Sequence, residues 1–272
     1  MPDEETIRTM ERFALALARR AGGVIAPLFR SGLKTGDKSG RGEAFDPATE
    51  ADRAAEEAMR DLVNEIFPAH GVIGEEMDDK PAEGPFTWVL DPIDGTRAFI
   101  YGVPTWMTLA ALLHEGEPLI GVAFQPLTGD CFLGSPLGAW RVEMKDGSRE
   151  PLRTRRTRVL SAALTGTTLP EIYTTPRERR ALVEMGEKAL QLRFDADAYF
   201  YAMVAAGMID IAFDTKMQPY DIAALVPIVR GAGGVVTDWD GGAYALGGQV
   251  VAAANPALLE AALEVLAGDE AS

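Results

Sequence analysis

The chain of 272 residues has a single cysteine, Cys131, so no internal disulfide can form. That fits a reducing cytoplasm. Cys131 sits in the apolar run Cys131-Phe132-Leu133 and reads as a small packed residue rather than a nucleophile. Histidine is nearly as scarce: His70 and His114 are the two present, both at turns, and both read as solvated. So few nitrogen and sulfur ligands leave little for a zinc centre. Positive charge is also short. Lys and Arg total 26 against 41 Asp and Glu, a net charge of −15. An acidic surface of that kind argues against nucleic-acid or anionic-membrane partners. Apolar runs stay well below the roughly 20 residues that span a bilayer, so no membrane crossing is expected. The N-terminal Asp3, Glu4 and Glu5 do not have the shape of a secretion signal. Internal repeats, low-complexity tracts, a Gly-x-Ser-x-Gly elbow, a Walker loop and a dinucleotide fingerprint are all missing.

What the chain does have is carboxylates at strand ends. In Thr87-Trp88-Val89-Leu90-Asp91-Pro92-Ile93-Asp94-Gly95-Thr96, residues 88–90 read as a buried strand. Pro92 cannot donate to a ladder, so the strand is expected to stop there. Asp91 and Asp94 then stand together, and a divalent cation between them would relieve their repulsion. Gly95-Thr96 opens a helix-like stretch, and free N–H groups at such a start suit phosphate. The plainer alternative is a Pro-Asp-Gly turn. Val72-Ile73-Gly74-Glu75-Glu76 sets two more carboxylates at a second strand end.

The remaining elements follow from periodicity. Residues 6–30 share an apolar face and form a helix ending near Gly22-Gly23 or Pro27. The Gly- and Lys-rich stretch 31–46 is a loop, either plain surface or a lid bringing Lys34 or Lys38 near a phosphate. Thr49 can cap a helix from Glu50 to about Phe67, with Met59, Leu62, Val63 and Ile66 buried. Asp52 lies in its first turn, where the helix dipole alone favours a carboxylate. Met107–Leu113, Leu119–Phe124, Cys131–Leu133 and Ala139–Val142 form an antiparallel meander. A domain boundary is expected near Asp146-Gly147-Ser148, dividing 1–148 from 149–272. The basic run from Arg153 to Arg158 reads as solvated, entering a strand at Val159–Leu164. A polar helix over 176–190 and a buried one from Tyr199 to Ala206 follow. Asp214 ends a strand from Ile209 to Phe213. Pro227 falls inside the helical pattern that starts at Asp221 and predicts a kink. Strands at 235–237 and 250–254 and a helix after Asn255-Pro256 close the chain. Interleaved strands and helices alone indicate an α/β or α+β fold.

Asp91-Pro92-Ile93-Asp94-Gly95-Thr96, Pro219-Tyr220-Asp221-Ile222-Ala223-Ala224, Gly74-Glu75-Glu76, Thr49-Glu50-Ala51-Asp52-Arg53 and Gln125-Pro126-Leu127-Thr128-Gly129 together resemble the inositol monophosphatase family. Their wording is closest to the histidinol-phosphate phosphatase branch. The resemblance covers roughly Phe45 to Val251 and implies a layered αβαβα sandwich, a cytoplasmic homodimer and a Mg²⁺-dependent phosphatase using two or three ions. It implies Glu75, Asp91, Asp94, Asp221 and the Ile93 carbonyl as metal ligands, a donor set of hard oxygens that suits Mg²⁺. Thr96, with Asp52, would orient the attacking water, and the Gly95 and Thr96 amides would hold phosphate. Asp52 could also serve a third metal. Asp214, Arg193 and Asp197 would contact the alcohol portion. An acid at 214 suits the amine of histidinol phosphate. Asp195-Ala196 stand where the branch has two glycines. Myo-inositol phosphates, fructose bisphosphate and a nucleotide 3′-phosphate are the other substrates implied. A non-catalytic relative should have lost a ligand or Thr96, and none is lost.

Overall fold

In the strand Met107–His114, Met107, Leu109, Ala111 and Leu113 enter one core, while Ala110 and Leu112 enter another. Alternation of this kind requires a sheet covered on both faces. The computed structural model has that arrangement twice. It describes residues 1–31, 35–37, 47–243 and 246–267, with backbone alone at 35–37 and 47–49. Lys34, Lys38 and the Thr49 side chain lie outside the described residues, as does most of the suggested lid.

A small antiparallel pair, β1 (Thr35–Asp37) and β2 (Pro47–Thr49), comes first. The first large sheet follows chain order: β3 (Gly71–Gly74), β4 (Phe86–Asp94), β5 (Met107–His114), β6 (Glu117–Gln125), β7 (Asp130–Ser135), β8 (Gly138–Val142) and β9 (Arg149–Pro151). Only the β3–β4 pair is parallel. The second sheet contains β10 (Leu164–Thr167), β11 (Gln191–Phe194), β12 (Ile211–Met217), β13 (Val235–Asp238) and β14 (Gly248–Ala253), in the order β11-β10-β12-β14-β13.

Helices α1 (Glu4–Ile25) and α2 (Glu50–Ile66) cover the outer face of the first sheet, and α3 (Thr96–Tyr101) follows β4. Between the sheets lie α5 (Asp197–Ala205), α6 (Pro219–Ile222) and α7 (Leu225–Gly231). Helices α4 (Pro176–Lys188) and α8 (Pro256–Ala267) cover the far side. The layers run αβαβα, as expected.

The two sheets approach closely because strands facing α7 lack side chains at two points. A Cβ on Gly121 would lie 1.9 Å from the Ala224 carbonyl oxygen, and one on Gly134 would lie 2.2 Å from the Ile228 nitrogen. The helix backbone rests directly on β6 and β7 at these positions.

Several local expectations are corrected. Strand β4 does not stop at Pro92 but runs on to Asp94. Its register with β5 shifts between Asp91 and Asp94, so the missing N–H of Pro92 falls in the irregular stretch. Thr108 Oγ1 donates to the Pro92 carbonyl at 2.8 Å and ties that stretch down. Val159–Ala163 is not a strand; Leu160–Ala162 is a 3₁₀ turn and β10 begins at Leu164. Asp214 does not end its strand, because β12 continues to Met217 after a register shift. Pro227 sits at the third position of α7, where its lack of an N–H costs nothing. The single expected kinked helix is two short ones. Ile66 is 50% exposed at the end of α2 rather than buried. His70 is not solvated: its ring stacks on Phe67 at 4.6 Å, and its Nδ1 accepts from Trp88 Nε1 at 3.1 Å. Partial burial, and to a lesser degree Lys80, lowers its pKa. Cys131 is buried, and burial pushes its thiol up to about 12, so it is inert packing.

Candidate active site

Strand β4 and helix α6 bring Asp91, Asp94 and Asp221 together, with one carboxylate oxygen of each inside a 4.8 Å group. Asp91 is 1% exposed, and its Oδ1 has no hydrogen-bond partner among the described residues. An orphaned buried carboxylate oxygen is costly unless a cation answers it. Burial, then Glu75, Asp94, Asp52 and Asp221, raises the Asp91 pKa well above the carboxylate range. Burial also raises that of Asp94, with Asp197 and Asp221 adding to it and the Ala198 N–H opposing it. That N–H donates to Asp94 Oδ2 at 2.7 Å, so the start of α5 fixes the Asp94 rotamer.

A second group of the same size joins Asp52, Glu75 and Glu76. Asp52 is 1% exposed on the first turn of α2. Glu75 and Glu76 follow β3, and a buried ion pair holds them in place. Arg60 Nε meets Glu56 Oε1 at 2.6 Å, and Glu56 Oε2 accepts from the Glu76 N–H at 2.7 Å. Gly74 lets Glu56 come this close; a Cβ there would lie 2.2 Å from Glu56 Oε1. The resemblance singled out Glu75 and left Glu76 without a role. Nothing in the spacing marks Glu76 as a partner of Asp52, because α2 delivers Asp52 from a distant part of the chain.

A cleft of about 280 Å³ opens between the two sheets, and Glu75, Asp94 and Asp221 line it. Gly95 and Thr96 form another wall. Gly95 has φ of 84°, and a Cβ would lie 3.0 Å from Asp197 Oδ2 and 3.3 Å from Trp106 Cα. Both the left-handed backbone and the crowding call for glycine. Thr96 Oγ1 donates to the Ile93 carbonyl at 3.2 Å, which places hydroxyl and carbonyl side by side.

Asp214 and Asp197 also line the cleft, Asp197 close against Gly95. Asp214 accepts from Thr167 Oγ1 and the Thr168 N–H, each at 2.8 Å, and from the Tyr201 hydroxyl at 3.2 Å. Burial lifts its pKa to about 7. Asp197 rises to about 6, through burial and then Asp195. Thr167, Thr168 and Tyr201 were not legible as site residues; they carry no motif. Arg193 lies exposed on the edge strand β11 and is not among the residues lining the cleft. Of the two positions where the branch has glycine, Asp195 is left-handed with φ of 74° and Ala196 is not, with φ of −146°; Asp197, which follows them, has φ of 40°. Aspartate tolerates that region better than most residues.

An αβαβα layering thus brings two groups of carboxylates to one interlayer cleft, and each group could hold a metal ion through oxygen donors. The chain belongs to the inositol monophosphatase family, a family of metal-dependent phosphatases whose model matches residues 6–269. Among its relatives is the Bifunctional phosphatase IMPL2, chloroplastic, of Arabidopsis thaliana, 36% identical over 97% of this chain and 78% of the relative. A Histidinol-phosphatase of Chlorobaculum parvum is 34% identical over 91% and 92%. The solved structure of an inositol monophosphatase from Zymomonas mobilis superposes with a TM-score of 0.83 at 34% identity, covering 96% of this chain and 98% of that one.

Proposed function

We propose that the protein is a Mg²⁺-dependent phosphomonoesterase acting on a small phosphorylated alcohol, with histidinol phosphate as the leading substrate and histidine biosynthesis as the setting. The observation that carries the reading is the pair of carboxylate groups at one cleft, with an unanswered buried oxygen on Asp91. Asp91, Asp94, Asp221 and the Ile93 carbonyl would hold one ion, and Asp52, Glu75 and Glu76 another. Bound Mg²⁺ supplies positive charge that acidifies water and balances the phosphoryl oxygens. The chain's own groups do the positioning. The Thr96 hydroxyl, beside the Ile93 carbonyl, orients the attacking water, and Asp52 assists it. The Gly95 and Thr96 amides hold phosphate oxygens.

Asp214 supports the choice of alcohol. Its Oδ2 accepts from the Tyr201 hydroxyl at 3.2 Å, and a carboxylate oxygen has further acceptor capacity for a substrate ammonium. Asp197 lines the same cleft. The reading includes a cytoplasmic homodimer, in which the exposed Leu190 and Phe194, beside and within β11, offer apolar surface for pairing. Arg193, on the same edge, would act from there.

The test is a comparison of purified protein against histidinol phosphate, myo-inositol 1-phosphate, fructose 1,6-bisphosphate and adenosine 3′,5′-bisphosphate, with Mg²⁺ and with excess EDTA. Turnover that needs Mg²⁺ and is highest for histidinol phosphate is expected. Full turnover in EDTA would overturn the metal chemistry, and preference for another ester would overturn the substrate.

A further inference from the structure

Lys216 lies where β12 loses register with β14. Asp214 pairs with Val250, and the next pair is Met217 with Gly248, so Thr215 and Lys216 stand opposite Gln249 alone. Lys216 adopts φ of 61°, a left-handed conformation that any Cβ disfavours. The chain uses glycine for such backbone nearby. Gly247 and Gly248 have φ of 134° and 77°, and a Cβ on Gly247 would lie 2.5 Å from the Met217 carbonyl oxygen. At 216, however, the residue is a lysine despite the local preference, and it lines the cleft. Non-glycine residues in strained backbone gather at ligand-binding positions.

The surroundings say what that lysine can do. It is exposed, and among the described residues it forms no ion pair. Arg97 and Lys216 are the cations lining the cleft among the described residues. Arg97 directly follows Gly95-Thr96 on the phosphate side. Lys216 follows Asp214 by two residues, on the wall assigned to the alcohol. That half of the cleft therefore presents a carboxylate at its floor and an ammonium at its rim.

We propose that Lys216 is the charge selector for the alcohol half of the cleft: it favours phosphate esters whose alcohol carries a second anionic group and opposes those carrying a cation there, working against Asp214. The inference rests on the phosphomonoesterase reading and adds a specificity residue to it.

A set of butyl phosphates ending in carboxylate, hydroxyl or ammonium tests it, using the Mg²⁺-loaded wild type, Lys216→Met, Lys216→Glu and Lys216→Gly. In Lys216→Met the carboxylate-to-ammonium ratio of kcat/KM should fall roughly fivefold, the scale of an exposed charge pair. It should fall further in Lys216→Glu. The change should reside in KM, with the hydroxyl ester barely affected. Lys216→Gly should lose the same selectivity while melting at a higher temperature, because the left-handed backbone is relieved. An unchanged ratio in both Lys216→Met and Lys216→Glu, with turnover intact, would overturn the selector and leave the phosphatase reading standing. Equal losses on all three esters would do the same, since they would mark a purely structural role. A wild type that hydrolyses none of the three, nor the four natural esters, would overturn both.

Discussion

Replacing Asp214 with asparagine should stabilise the metal-free protein at alkaline pH and do so far less in acid. The carboxyl is 2% exposed. Burial raises its pKa from 3.8 to about 7, so the folded state prefers the protonated form. Stability linked to that proton is fully present below the unfolded pKa and is lost as pH rises through about 7. The gap corresponds to on the order of 4 kcal/mol in total. Roughly 3 kcal/mol of it disappears between about pH 5 and pH 8.5, because at pH 5 the unfolded carboxylate is already ionised. Asparagine removes the charge but keeps a carbonyl oxygen for Thr167 and Thr168, and its amide can donate to the Tyr201 oxygen. Burial raises the Tyr201 pKa well above its ordinary value, so that phenol stays protonated. The assay is urea unfolding in EDTA at both pH values, for wild type and Asp214→Asn. The difference between the two proteins should shift in favour of the variant by about 3 kcal/mol on going to pH 8.5. Asp91 and Asp94 are common to both proteins and largely cancel. The same difference at both pH values, or a variant that is the weaker protein at pH 8.5, would refute the argument.

Asp94→Asn and Asp221→Asn should each reduce turnover at least a hundredfold at saturating Mg²⁺ while circular dichroism stays native, since a neutral amide of like shape replaces an anionic ligand; near-normal kcat in both would remove these residues from the site. Mg²⁺ should raise the melting temperature more at pH 8.5 than at pH 6, because burial and mutual repulsion make Asp91 and Asp94 hold protons that compete with the ion. A shift that grows toward acid pH would contradict this, and calorimetry with and without EDTA reads it directly.

The elements of the fold were legible wherever one periodicity ran uninterrupted. The meander from Met107 to Val142 and helices α1, α2 and α4 are where the pattern puts them. Boundaries failed where tertiary contacts overrode local signals. Pro92 reads as a strand terminator, yet the Thr108 hydroxyl and an irregular register carry β4 past it. Pro227 reads as a kink because no local signal marks the end of α6 before it. In the site, the strand-end carboxylates Asp91, Asp94 and Glu75 stand out in sequence because acids next to apolar runs are conspicuous. The partners around Asp214 were invisible: Thr167 and Tyr201 are 47 and 13 residues away from it. Lys216 was passed over because nothing in a sequence announces a positive φ on a lysine.

The bare backbone at Gly121 and Gly134 also limits how such a chain can be recombined. Those two positions let α7 settle on the first sheet, and α7 follows directly after the turn that carries Asp221. The spacing of Asp221 from Asp91 and Asp94 is thus set across a seam whose two sides come from distant stretches of sequence. A chimera joining the first half of one relative to the second half of another would inherit each ligand intact and still assemble them out of reach, unless the glycines and the helix they accept came from the same parent. Crossovers that preserve the site should therefore keep residues 121, 134 and 224–228 together, although more than a hundred residues of chain separate the ends of that set.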